Sequence, residues 1–63
     1  STNVEYVIKG VIDAETDAIN HYTELIKLCD GVDWVTQDML ITLLADEESH
    51  RTTFEGYLKE YSK

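Results

Sequence analysis

Three side chains able to hold a metal ion interrupt an otherwise apolar pattern: Glu15, and the pair Glu47 and His50 spaced as Glu-x-x-His. On a helix, residues three apart share one face about one turn apart, so Glu47 and His50 can address the same point in space. Glu15 lies sixteen residues before Gly31 and Glu47 sixteen after it. If the chain reverses at Gly31, both carboxylates stand at the same height, roughly 24 Å from the turn at ~1.5 Å per residue. Charged groups in an apolar stripe cost several kcal/mol or more unless they are paired or bound to a cation. Cation binding is therefore the chemistry these residues suggest.

The elements that would carry them are two helices. Val4, Ile8, Val11, Glu15, Ala18, Tyr22, Leu25 and Cys29 follow at alternating steps of four and three, with Ile12, Ile19 and Ile26 widening the stripe. Thr2 or Asn3 would cap its start, and Gly31 suits the left-handed residue just past its end. Asp33 is a good N-cap for the second helix, whose seam reads Thr36, Leu40, Leu43, Glu47, His50, Phe54, Tyr57 and Tyr61, broadened by Leu44 and Leu58. No Lys or Arg falls on either seam, so neither Glu15 nor Glu47 has an evident cationic partner there. The expected fold is all-α: one antiparallel hairpin over 1–63, with a helix over about 3–29, a turn at 30–33 and a helix over about 34–61. Trp34, Met39 and Ile41 lie off the main stripe, which predicts contact with more than one neighbour.

Two helices share a single line of contact and leave much of two wide apolar stripes wet, whereas four enclose a core. The chain is therefore expected to associate with itself, at least as a homodimer forming a four-helix bundle, with a higher oligomer or cage beyond that. A two-fold axis would bring together two Glu15, two Glu47 and two His50. Their four carboxylates carry a charge of -4, balanced by two divalent ions. Oxygen-rich ligation with one imidazole per metal suits iron or manganese better than structural zinc, which favours sulfur or several histidines.

Composition narrows the function classes. Thirteen acidic residues face five basic ones, a formal charge of -8, which argues against nucleic-acid partners. No apolar run exceeds three residues, so no membrane span is expected. Cys29 is the only cysteine, no intramolecular disulfide can form, and a reducing, cytoplasmic setting is expected. No basic stretch leading into an apolar one opens the chain, so no export signal is expected; the missing initiator Met fits a processed or partial chain. Nucleophile elbows, phosphate loops and zinc-protease motifs are absent from the sequence.

The segment Glu15-Thr-Asp-Ala-Ile-Asn-His-Tyr22 resembles the Glu-x-x-Ala-x-x-x-Tyr pattern of bacterioferritin and related ferritin-like helices. Asp38-Met-Leu-Ile-Thr-Leu-Leu-Ala-Asp-Glu-Glu-Ser-His50 resembles the last long bundle helix of bacterioferritins, with its Asp-Glu-Glu-x-His motif. One Glu from each of two helices plus Glu-x-x-His from each of two others is also the ligand set of di-iron and di-manganese carboxylate bundles. The likeness covers nearly the whole chain but only half of the usual bundle; short ferritin-like proteins packed inside encapsulin shells are similar in building the site between two chains. The resemblance implies a ferritin-like four-helix bundle holding two iron ions, with manganese as the other candidate. It implies that Glu15 is a terminal carboxylate ligand, Glu47 the bridging carboxylate and His50 a terminal nitrogen ligand. Tyr22 would stand near the metals, as hydrogen-bond donor or electron carrier, or as an ordinary core aromatic. Asp46 would orient an imidazole from a neighbouring helix, or else be a solvated surface residue. Haem is not supported: the haem-binding Met of bacterioferritins follows the bridging Glu of the other half-bundle, and here Glu48 occupies that place, though Met39 leaves a different arrangement open.

The expected activity is a ferroxidase serving iron storage or detoxification. Its competitors are a di-metal peroxide reductase without storage, and a non-enzymatic helical assembly module in which Glu47 and His50 are polar register markers. His21, with Asp17 and Glu24 at helical spacing, could form an outer cation site, but surface histidines of this kind usually do nothing specific.

Overall fold

The structure, a computed structural model, describes residues 2–61, with side chains from Asn3 onward. Helix α1 spans Thr2–Cys29 and helix α2 spans Trp34–Tyr61, each of 28 residues, packed antiparallel as a hairpin. Asn3 stands inside α1 and not ahead of it, and the side chain of Thr2 lies outside the described residues. Among the described residues, no helix is long and apolar enough to cross a membrane.

The reversal is made by four residues. Gly31 adopts a φ of 69°, the left-handed conformation that costs glycine nothing and other residues about 1 kcal/mol. It lets the amides of Val32 and Asp33 turn back and donate to the carbonyl of Cys29 at 3.0 and 2.9 Å, satisfying an acceptor the end of α1 would otherwise leave open. Asp33 then starts α2. Its Oδ1 accepts the Thr36 backbone amide at 3.0 Å, and its Oδ2 accepts the Thr36 hydroxyl at 2.6 Å. Those hydrogen bonds favour the ionised carboxyl and lower its pKa from the ordinary 3.8.

Along the contact line, Ile8, Ile19 and Leu40 are buried, and the remaining apolar side chains are half-buried or exposed. The second helix departs from the expected seam. Leu40, Leu44, Glu47, Arg51, Phe54 and Leu58 are buried or half-buried, whereas Leu43, His50, Tyr57 and Tyr61 are exposed. The stripe on α2 is wider than one neighbouring helix can cover, so α1 takes one half and leaves the other as an open flank. Val7 and Leu25 continue that flank on α1, at 61% and 45% exposure. The molecule is a rod of 47 × 14 × 11 Å with a radius of gyration of 14.5 Å, against roughly 11 Å for a compact domain of this length. Its 4741 Å² of accessible surface exceeds the roughly 4100 Å² of a compact monomer of equal mass.

Candidate metal centre

Glu15 and Glu47 each stand at the fourteenth residue of a 28-residue helix, which an antiparallel hairpin with a four-residue turn brings level. Glu15 projects into the seam beside Glu47, and His50 follows one turn along α2 on the side of the open flank. One ligand atom from each of the three falls within 4.8 Å of the others. Among the described residues, no other group of three or more His, Cys, Asp or Glu side chains converges in this way.

The electrostatics of the group are unfavourable as they stand. The Glu15 side chain is only 18% exposed, and its Oε2 is closed off from solvent without a hydrogen-bond partner. The nearest cationic candidate, Nδ1 of His50, is 3.9 Å away, too far for a hydrogen bond, and belongs to a side chain 58% exposed. The pKa of Glu47 is raised above 4.5, first because only its protonated form can hydrogen-bond the Glu15 carboxyl, then by desolvation and by the Glu15 charge; His50 opposes the shift. Two carboxyls this close need a proton or a cation between them.

A cation fits the donor set. Two carboxylates and an imidazole offer hard oxygen and borderline nitrogen, the combination that suits iron or manganese. Three donors do not fill the coordination shell of such an ion, and the group opens toward the exposed flank of Leu43, His50 and Tyr57, from which further ligands would have to come.

The other residues singled out in the sequence lie outside this group. Tyr22 is half-buried and Asp46 is exposed, and neither belongs to the convergent set. His21 turns its Nδ1 to the Asp17 carbonyl oxygen at 3.0 Å, while Glu24 pairs with Lys27 at 3.4 Å, so no outer cation site assembles there. No basic residue falls on the seams expected from the sequence, yet Arg51 is half-buried on the α1 side of α2. Its position four residues after Glu47 was the available signal, masked by its place between the expected seam positions. Within the hairpin it forms no ion pair with either carboxylate.

A family model for the ferritin-like domain matches residues 1–63. No curated protein and no solved structure gives a significant match.

Proposed function

Since this chain belongs to the ferritin-like family, we propose that two copies pair through their open flanks and oxidise iron at a site to which each contributes Glu15, Glu47 and His50. The observation that carries the reading is the convergence of these three groups within 4.8 Å, with one Glu15 oxygen buried and unpartnered. Pairing doubles the set to four carboxylates and two imidazoles, the complement of di-iron carboxylate bundles. The Asp46-to-His50 segment, Asp-Glu-Glu-Ser-His, resembles the bacterioferritin motif and supports a reading close to that branch of the family.

Fe(II) is the substrate. Glu15 and His50 of each copy would hold iron, and the two Glu47 carboxylates would add the negative charge that offsets the repulsion between two cations. Two Fe(II) give up one electron each, and dioxygen with two protons leaves as hydrogen peroxide; with peroxide as oxidant, the same two electrons and two protons yield two waters. The excess of acidic side chains raises the local cation concentration. Storage further requires that paired hairpins assemble into a closed shell or enter one, such as an encapsulin, in a cytoplasmic setting.

Anaerobic Fe(II) titration followed by oxygen exposure tests the reading. One iron per chain, oxidised in pairs, is expected in the native protein and absent in Glu47→Ala. Unchanged binding in that variant would refute the assignment. Growth of a mineral core on continued iron addition distinguishes storage from peroxide reduction alone.

A further inference from the structure

Most side-chain hydrogen bonds near the turn stay within their own helix, as Thr23 does with the Ile19 carbonyl and Thr42 with that of Asp38. Gln37 does not. From the first turn of α2 its Nε2 donates to the Ile26 carbonyl oxygen of α1 at 3.1 Å and to Asp30 Oδ1 at 3.3 Å. Both neighbours can only accept, so the amide orientation is dictated by their chemistry. Gln37 is half-buried, and the Ile26 carbonyl is among the last four of α1, which have no partner inside the helix.

We infer that Gln37 is a positioning residue for the metal centre: it fixes the angle and rotation of α2 against α1, so that Glu15 and Glu47 converge at mid-helix. This deepens the proposed function and rests on it. Glu47 is ten residues beyond Gln37, a lever of about 15 Å. A change of about 5° pivoting at Gln37 moves Glu47 by roughly 1.3 Å, whereas a metal site tolerates about 0.5 Å. Between the clamp and the site the helices are held by apolar contacts around Ile19 and Leu40, which resist separation but are non-directional and fix rotation poorly. The two directional bonds at Gln37 supply what those contacts lack.

Two substitutions separate the donor role from bulk. Gln37→Met keeps length and removes both hydrogen bonds; Gln37→Lys keeps donors for the Ile26 carbonyl and the Asp30 carboxylate. With Co(II) alone as the probe, Gln37→Met is expected to bind at least about tenfold more weakly than the native chain at unchanged helicity and assembly mass, and Gln37→Lys within about threefold of it. Native affinity in Gln37→Met, or equal losses in both variants, would overturn the clamp. A metal-independent readout keeps the two hypotheses apart. Spin labels at the exposed positions Lys9 and Thr53, in a Cys29→Ser background diluted with unlabelled chain, should show a broader distance distribution in Gln37→Met and not in Gln37→Lys. If native protein binds no Co(II), the metal reading fails while the label distances still decide for or against Gln37. Unbroadened distances in Gln37→Met reject the clamp whatever the metal does.

Discussion

At the proposed site Glu47 would have opposite preferences with and without a cation, and that makes it the residue on which the chemistry is best tested. Without metal, the hydrogen bond that a protonated Glu47 can give the Glu15 carboxyl, together with its partial burial, holds its pKa above 4.5, so folding favours the protonated form. That stabilisation is complete below about pH 4.5 and disappears as the pH rises through the folded-state value. Glu47→Gln removes the repulsion and supplies a permanent donor to Glu15. The metal-free variant is therefore expected to melt above the native protein at pH 7, with the difference shrinking toward pH 4. Added Mn(II) or anaerobic Fe(II) should reverse the order, since ligand at a hundredfold excess over its Kd adds about 2.7 kcal/mol per site to a protein that binds it. Melting curves with and without metal across this pH range check both signs; a variant stabilised by metal as strongly as the native chain would refute the role of Glu47. Glu15 and Glu47 were legible in the sequence because equal spacing from Gly31 puts them level whatever the details of packing. The half-buried Arg51 was not, because spacing along one helix does not say which side of a wide stripe the neighbouring helix will cover.

At the scale of the elements, the reversal was the most legible feature. A glycine followed two residues later by an aspartate is a local signal, and Gly31 and Asp33 play those parts through their own backbone and side-chain hydrogen bonds. The Asp33 cap carries its own pH signature, opposite to that of Glu47. Its pKa lies below 3.8, so its contribution to stability is complete above about pH 3.8 and is lost as the pH falls through the folded-state value. Asp33→Asn is expected to keep most of the native helicity while abolishing this acid-side dependence, and Asp33→Ala to lower the melting temperature at pH 7 as well; circular dichroism melts between pH 2 and 7 distinguish them. The division of the α2 stripe was less legible. Leu40 and Leu43 are equivalent in the sequence pattern, but Leu40 is 7% exposed and Leu43 37%. Leu40→Ala is therefore expected to cost about 2–5 kcal/mol as a core truncation. Leu43→Ala should cost little within one hairpin and act mainly through the open flank, lowering the melting temperature more at high than at low chain concentration. The bonds of Gln37 to α1 had no sequence signal beyond a polar residue one turn into a helix.

For the whole molecule, the decisive quantity is where the proposed ligands sit along the rod. A pairing axis parallel to the helices would accept ligands at any height and bring both turns to the same end. An axis perpendicular to the helices returns a ligand to its own height only at the midpoint. Glu15 and Glu47 both occupy that midpoint, the fourteenth of 28 positions, so perpendicular pairing would unite the two halves of the proposed site with the hairpins overlapped along their full length. It would also set the apolar residues near one turn, Leu25 and Met39, against Val7, Tyr57 and Tyr61 near the open end of the other copy, covering patches that each hairpin leaves 45–61% exposed. The two geometries differ in a directly measurable length. With each turn about 24 Å from the site, perpendicular pairing puts the tips roughly 50 Å apart, whereas parallel pairing leaves them within about 20 Å. Val32 is 83% exposed at the tip, so a spin label on Val32→Cys in a Cys29→Ser background reports this length without touching either the flank or the ligands. A single population near 50 Å is expected. A short distance would mean that both tips lie at one end, and the midpoint position of the ligands would then need another explanation.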